Sequence, residues 1–258
     1  MSCANYVDRL RHKHADCLSL VWQENSRYLL YDSGKYGYQK SNWRDYFRST
    51  RAHNTVEVDG YNSSRQKRDA YGSAIQHVGT CDGGWLLVGR VSHARLKMTH
   101  QRVVYYRPGV GVEVLDIIRN DQPQRLRDFR WWWHIGPDTT PLELSPVGAR
   151  FEDASDQQRL TLQVESTLER APRACSHHGQ REPRLAGWYS PGYLEAQPSQ
   201  AVSFHFQAQE PRFAVVSRWG LGEQDAQTAV LRIEQGKLQV ASEALYQALS
   251  ELLEHGFI

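Results

Sequence analysis

The chain has 258 residues, of which 40% are hydrophobic and 23% are charged, as in a globular protein rather than a disordered one. Its net charge of +2 is too small to indicate a nucleic-acid partner, and no apolar run approaches the roughly 18 residues of a membrane-spanning helix. The first 20 residues lack the apolar stretch of a secretion signal, so we expect a cytoplasmic protein by default.

Short apolar or alternating segments, separated by Gly, Pro, Asn and Asp, recur along the whole chain. In chain order they predict strands at Leu18–Gln23, Tyr28–Asp32, Asn54–Asp59, Trp85–Val91, Arg102–Tyr106, Gly111–Ile118, Arg127–Trp133, Leu160–Val164, Ala201–Gln207, Arg212–Trp219, Ala229–Ile233 and Leu238–Val240. Many short strands at this spacing favour an antiparallel sandwich or barrel. We interpret residues 1–258 as a single all-β domain.

Two segments depart from the strand pattern. Glu243–His255 has helical spacing, with four leucines on one stripe, and predicts a short C-terminal helix. Ala171–Arg184 is rich in Pro, Arg and His and predicts a long loop.

Residues capable of chemistry are concentrated near the N-terminus. In an extended segment His12 and His14 point to the same side, because side chains alternate along a strand. Asp32 follows one apolar strand and His53 precedes another, so these side chains can meet at strand ends. Imidazole and carboxylate are the usual non-thiolate ligands of zinc. A zinc site and a set of surface histidines both remain open, since the residues from Asp32 onward also form a good turn sequence.

The order of these motifs is that of a known family. The chain has His-x-His-x-Asp at 12–16, Asp-x-Gly at 32–34 and Arg-Ser-Thr-x-x-His-Asn-Thr-Val-x-Val-Asp-Gly at 48–60. This order resembles the C-terminal β-sandwich region of the heparinase II/III-like polysaccharide lyases, a group that includes oligoalginate lyases. Gly187–Tyr193 also resembles a sandwich segment of that family. The resemblance implies an antiparallel β-sandwich belonging to a lyase that cleaves uronic-acid-containing polysaccharide by β-elimination.

The resemblance also implies a zinc site. In such lyases the second His of His-x-His, the Asp of Asp-x-Gly and the His of His-Asn-Thr hold one zinc ion. The matching residues here are His14, Asp32 and His53. Zinc is expected to position the surrounding loops rather than to activate water.

The same resemblance assigns catalytic residues. The first His of His-x-His points into the substrate cleft, and it corresponds to His12. A tyrosine between the zinc-binding Asp and the last His acts as the acid, and often also as the base. Tyr38 matches this position by its spacing before His53, with Tyr36 as the second choice.

The expected partner is an acidic polysaccharide or oligosaccharide. Members of the family, which are often periplasmic or secreted, carry an α/α toroid before the sandwich, and the toroid forms the other wall of the cleft. This chain starts about eleven residues before the His-x-His motif, so the toroid is not part of it. Three explanations stay open: a fragment, the product of a split gene whose partner polypeptide carries the toroid, or a sandwich kept for another role. In each case we expect the chain alone to be an incomplete catalyst. Two alternatives remain: a non-catalytic, zinc-stabilised carbohydrate-binding or structural module, and a metal-dependent hydrolase.

Two further segments carry aromatic or basic residues. His100 and Arg102 precede the strand predicted at Val103–Tyr106, and we expect them to form a polar pair at the strand edge. Trp131–Trp133 is similar to a sugar-binding platform, but alternate tryptophans of a sandwich strand are expected to fill the core.

Overall fold

The computed structural model describes residues 1, 13–63, 73–154, 157–222 and 229–253. The chain is 53% strand and 10% helix, which confirms the predicted all-β class. The strands are β1 (Trp22–Glu24), β2 (Arg27–Leu30), β3 (Val56–Val58), β4 (Ala74–Cys81), β5 (Gly84–His93), β6 (Met98–Arg107), β7 (Gly111–Asn120), β8 (Arg127–His134), β9 (Thr139–Ser145), β10 (Gly148–Asp153), β11 (Arg159–Ser166), β12 (Arg173–His178), β13 (Trp188–Tyr189), β14 (Gln197–Pro198), β15 (Gln200–Ala208), β16 (Arg212–Leu221), β17 (Leu231–Glu234) and β18 (Lys237–Val240). The α-helices are α1 (Asn42–Phe47) and α2 (Glu243–Leu252), and short 3-10 helices cover Thr50–Ala52 and Ala94–Leu96.

Most strands belong to two antiparallel sheets. The large sheet has the order β4-β5-β6-β7-β16-β11-β10-β9, and the small sheet has the order β12-β15-β8-β3. Further two-stranded ribbons pair β1 with β2, β13 with β14, and β17 with β18. One extensive apolar core is shared by residues of both sheets, so the fold is a β-sandwich.

Alternation along β8 decides which side chains enter this core. Trp131 and Trp133 are at most 1% exposed, and Trp133 contacts Trp219 of the large sheet with ring centroids 5.6 Å apart. Trp132 lies on the opposite face, where its Nε1 donates to Glu57 Oε2 at 3.2 Å. The tryptophans therefore pack alternately, as predicted, because successive side chains of a strand point to opposite faces.

The outer face of the large sheet is covered by α2 and the β17–β18 ribbon. Leu245 and Leu249 of α2 are fully buried against apolar residues of β5, β6, β7 and β16. Ser242 caps α2 by accepting the Leu245 N–H at 3.2 Å. The helix predicted at 243–255 is thus confirmed as far as residue 252. In the described ranges, no helix is long and apolar enough to cross a membrane.

Of the strands in the two sheets, β4, β9, β10 and β12 are not predicted by the sequence pattern. β10 lies inside the large sheet and is largely buried, whereas β4, β9 and β12 lie at the edges of their sheets. The side chains of these three edge strands are exposed or half-buried on both faces, so no alternation marks them. Pro141 makes β9 still harder to predict, because proline is rare in strands. An edge strand tolerates proline, because one side of its backbone has no neighbouring strand to hydrogen-bond. The loop predicted at 171–184 is therefore wrong where β12 occupies Arg173–His178.

Candidate functional site

Three segments that are distant in sequence meet near the end of β8. His14 lies in an irregular segment before β1, and Asp32 follows β2. His53 ends the 3-10 helix at Thr50–Ala52 and leads into β3. Leu30 at the end of β2 bridges Ile135, just beyond β8. The fold therefore brings the three predicted zinc ligands together from three separate connections.

The three side chains form one cluster. His53 Nδ1 lies 2.7 Å from Asp32 Oδ2, and Gly34 N–H donates to Asp32 Oδ1 at 2.9 Å. The ring centroids of His14 and His53 are 5.3 Å apart. The His53 side chain is 1% exposed and that of Asp32 is 39% exposed, so His53 forms the buried side of the cluster and Asp32 the open side.

The charges in the cluster follow from burial and from these contacts. Burial raises the pKa of Asp32, but His53 and the Gly34 N–H outweigh it and lower this pKa to about 2. Burial lowers the pKa of His53, but the Asp32 carboxylate outweighs it and raises this pKa above its usual value. Burial and the nearby His53 lower the pKa of His14 to about 4. At neutral pH Asp32 is a carboxylate and His14 a neutral imidazole, the forms that bind metal ions.

The cluster fits zinc in part. Two imidazoles on one tetrahedral zinc ion have centroids about 5 Å apart, close to the 5.3 Å between His14 and His53. His53 Nε2 is buried and lacks a hydrogen-bond partner within the described residues. However, no three His, Cys, Asp or Glu side chains of the described ranges converge closely enough to hold a metal ion. In the Asp32–His53 hydrogen bond, Oδ2 and Nδ1 lie 2.7 Å apart. This is closer than the roughly 3.3 Å expected between two ligand atoms of a tetrahedral zinc ion.

The two candidate tyrosines have different environments. Tyr38 is 45% exposed, and Lys35 Nζ donates to its Oη at 2.5 Å. Tyr36 instead stacks on Phe47, with ring centroids 6.1 Å apart and planes within 6°. Tyr38 therefore presents its phenol to solvent, while Tyr36 belongs to an aromatic cluster. The third catalytic candidate, His12, lies outside the described residues.

The loop that carries Tyr38 is held by a second loop, through Ser190 and Leu194. Gly34 forms a parallel bridge to Ser190, and Leu194 N–H donates to Tyr36 O at 2.6 Å. Gly34 has a φ of +85°, and a Cβ at this position would lie 2.6 Å from Ser190 O. Only glycine fits this approach, which explains the glycine in the Asp-x-Gly motif.

A buried network that sequence reasoning missed joins the three segments. Asn54, which follows His53, is fully buried. Its Nδ2 donates to Leu20 O at 2.8 Å and to Tyr31 O at 3.0 Å, and its Oδ1 accepts the His134 N–H at 2.6 Å. One side chain thus connects the segment before β1, the end of β2 and the end of β8. The sequence does contain one sign of this network, which is the asparagine directly after the candidate ligand His53.

Two threonines of the same motif hold the segment that follows His14. Thr50 Oγ1 donates to Ala15 O at 3.0 Å, and Thr55 Oγ1 donates to Cys17 O at 2.6 Å. All four of these bonding groups are buried, so each bond satisfies a backbone carbonyl that water cannot reach. The motif that carries His53 therefore also fixes the segment that carries His14.

Arg102 of β6 extends this network into the large sheet. Its Nη1 donates to Leu18 O at 2.8 Å and to Asn54 O at 2.6 Å. Its Nε and Nη2 donate to the two carboxylate oxygens of Asp116, at 2.7 and 2.9 Å. This bidentate pair anchors the site to the centre of the sandwich.

The strand-edge position predicted for His100 and Arg102 is wrong. Both lie inside β6 and are 2% and 0% exposed. His100 Nε2 and Trp131 Nε1 also donate to Asp116, at 2.6 and 2.8 Å. Burial raises the pKa of Asp116, but Arg102 and His100 outweigh it and hold this pKa far below its usual value. An aspartate inside an apolar strand was the signal of this network, because a buried carboxylate needs partners.

Comparison with known proteins gives the family. The family model described as "Heparinase II/III-like, C-terminal" matches residues 1–234, so the chain belongs to this family. No curated protein sequence matches the chain.

Solved structures share the fold. Heparan sulfate lyase HepC from Pedobacter heparinus superposes with a TM-score of 0.68 at 18% identity, over 88% of this chain and 33% of that one. A structure of heparinase III gives a TM-score of 0.68 at 12% identity, over 89% of this chain and 33% of that one. A heparinase III gene product superposes with a TM-score of 0.66 at 17% identity, over 86% of this chain and 32% of that one. The chain therefore spans about a third of the length of these structures.

Replacing Asp32 by Asn should reduce the acid sensitivity of the metal-free chain. The folded-state pKa of Asp32 is about 2, below its ordinary value near 3.9. Its carboxylate therefore stabilises the fold above about pH 4, and this stabilisation is lost as the pH falls toward 2. Because the side chain is 39% exposed, we expect a loss of only about 1 kcal/mol.

Urea unfolding with a chelator present, at about pH 6 and about pH 2.5, measures this loss. The free energy of unfolding of Asp32→Asn should change less between the two pH values than that of the wild type. The exposed Asp138, replaced by Asn, is the control and should follow the wild type. If the free energy of unfolding of Asp32→Asn depended on pH as strongly as that of the wild type, the lowered pKa assigned to Asp32 would be contradicted.

Proposed function

We propose that the chain is the β-sandwich part of a polysaccharide lyase that cleaves uronic-acid-containing polysaccharide by β-elimination. The observation that carries this proposal is the cluster of His14, Asp32 and His53 at the start of the loop that presents Tyr38 to solvent. Membership of the heparinase II/III-like family supports it.

β-Elimination requires a base and an acid on one sugar. A uronic acid has an acidic hydrogen at C5, next to its carboxylate. The base takes this proton, the C4–O4 bond breaks with its electron pair going to O4, and a C4–C5 double bond forms. The acid then gives a proton to O4. We assign the acid, and with it the base, to Tyr38, whose phenol is exposed. We assign His12, which lies outside the described residues, to the substrate cleft.

The chain's own contacts position the acid. Lys35 donates to Tyr38 Oη, and the Gly34–Ser190 bridge fixes the loop on which both residues lie. Asp32 begins this loop and is held by His53, so the cluster and Tyr38 are parts of one connected structure. Holding reacting groups in place in this way supplies much of an enzyme's rate enhancement.

We further propose that His14, Asp32 and His53 hold one zinc ion. When bound, the ion supplies a positively charged cross-link between three chain segments. Asp32 and the neutral His14 are in the protonation states that zinc requires. His53 would bind the ion through Nε2, which would have to be unprotonated, while its Nδ1–H would continue to donate to Asp32.

The substrate carboxylate must also be neutralised while charge develops on it. We propose that the donors come from a toroid region outside this sequence, since this sequence spans about a third of the heparinase structures that it resembles. The same observation favours a second candidate function, a non-catalytic, zinc-stabilised carbohydrate-binding module.

Replacing Tyr38 by Phe should lower the rate of elimination by about 10²–10⁴-fold, because the leaving oxygen loses its proton donor. The assay follows ultraviolet absorbance of the unsaturated product, with the chain co-expressed with a toroid-bearing polypeptide and supplied with heparan sulfate or alginate. Tyr246→Phe, on α2, is the matched control and should retain the wild-type rate.

Turnover that survives Tyr38→Phe would contradict the assignment of the acid. Binding of acidic polysaccharide without turnover, in the presence of the toroid, would replace the lyase by the binding module.

Zinc should stabilise the wild-type chain and fail to stabilise the cluster variants. At a zinc concentration 100-fold above Kd, binding adds about 2.7 kcal/mol to the free energy of unfolding, which raises Tm by roughly 5–10 °C. Differential scanning calorimetry with and without chelator measures this shift. His14→Ala should lose most of it, while His178→Ala, at an exposed position of β12, should retain it. An equal shift in His14→Ala would contradict the zinc assignment.

A further inference from the structure

A basic pocket of about 370 Å³ lies on the outer face of the small sheet, away from the core. The polar residues that line it are Asp128, Arg130, Arg170, Arg173, His205 and Gln207. The proposed lyase chemistry uses none of them. The pocket is large enough to accept part of a small ligand.

Cross-strand pairing builds the pocket wall. Arg173 of β12 lies opposite His205 of β15, and His205 lies opposite Arg130 of β8. Directly opposed residues of antiparallel strands share a face. Two guanidinium groups therefore flank one imidazole, and Arg170, from the connection before β12, adds a third guanidinium.

Within the described residues, two of these three arginines have no acidic partner. Arg130 donates to Asp128 at 2.8 Å and lies 3.7 Å from Glu57, so its charge is compensated. In the described part of the chain, Arg173 makes one side-chain hydrogen bond, to His205 Nδ1 at 3.3 Å, and Arg170 makes no side-chain hydrogen bond or ion pair. The pocket therefore carries positive charge that no carboxylate of the described chain neutralises.

A chain of hydrogen bonds orients Arg173. His205 Nδ1 accepts from Arg173, and His205 Nε2–H donates to Ser203 Oγ at 2.8 Å. Ser203 Oγ–H donates to His177 Nε2 at 2.8 Å, and His177 Nδ1–H donates to Gln180 Oε1 at 2.8 Å. Burial and the neighbouring arginines lower the pKa of His205 to about 4, so it stays neutral and can accept. The guanidinium of Arg173 is thus held in place with donors to spare.

The pocket lies on the same strand and the same face as His134, which adjoins the candidate site. His134 Nε2–H donates to Arg51 O, two residues before His53. Arg130 and His134 are four residues apart on β8, which corresponds to roughly 13 Å along a strand. An oligosaccharide chain spans this distance.

We propose that Arg170 and Arg173 bind an anionic group of the polysaccharide, a sulfate or a uronate carboxylate, several sugar units from the bond that is cleaved. The planar, forked donors of arginine match both oxyanions. This inference rests on the proposed function for the identity of the polymer, but its test measures binding and not turnover.

The test is isothermal titration calorimetry on the full 258-residue chain. The ligands are a heparan sulfate hexasaccharide and an unsulfated heparosan hexasaccharide. The double variant Arg170→Gln/Arg173→Gln should weaken binding of at least one ligand by about tenfold or more. The control Arg119→Gln removes an exposed arginine of the large sheet that pairs with Asp121, and it should leave both affinities unchanged.

A loss confined to the heparan sulfate ligand identifies the bound group as a sulfate, and a loss with both ligands identifies it as a carboxylate. Unchanged affinity in the double variant, an equal loss in Arg119→Gln, or a wild-type chain that binds neither ligand overturns the inference. The titration measures binding and needs no turnover, so its result can be interpreted even if the lyase assay fails.

Discussion

The buried side chain of Asn54 is the contact on which the candidate site depends. Its amide donates to Leu20 O and Tyr31 O and accepts from His134 N–H, so it joins the segment before β1, the end of β2 and the end of β8. Each of these groups is shielded from water, and an unpaired buried polar group costs about 1–3 kcal/mol. Asp32 directly follows Tyr31, so the amide also sets the point from which the Asp32 carboxylate reaches His53.

The Arg102–Asp116 pair connects this amide to the sandwich core. Arg102 donates to Asn54 O and to Leu18 O, while Asp116 accepts from Arg102, His100 and Trp131. A buried pair of this kind adds little net stability, but removing one partner costs about 3–5 kcal/mol because it leaves an unpaired buried charge. The candidate ligands are therefore positioned by hydrogen bonds of the protein itself, in segments that already meet without a metal ion.

The sequence predicts most of the inner strands and the motif residues, because half-buried strands alternate with period two and the motif order is distinctive. It does not predict the inner strand β10. It also does not predict the edge strands β4, β9 and β12, whose side chains are not buried on either face. The helix α1 has only six residues, too few to show a helical period. The roles of Asn54, Arg102 and Arg173 depend on which distant segments meet, and this information is not present in local spacing. The order of the motifs likewise does not determine whether the side chains of His14, Asp32 and His53 converge, because this depends on how each side chain is placed.

Hydrogen exchange in Asn54→Ala tests most directly whether this amide positions the site. Amides of residues 15–20 and 31–34 should exchange at least about tenfold faster in the variant, while amides in the centre of β7 and β16 keep their protection, because the loss is local. The control is Thr161→Ala on β11, which removes a hydroxyl that lies 3.4 Å from Gly220 O of β16. It should leave the exchange rates of residues 15–34 unchanged. Uniform acceleration along the whole chain, or unchanged exchange at 15–20 and 31–34, would contradict the claim.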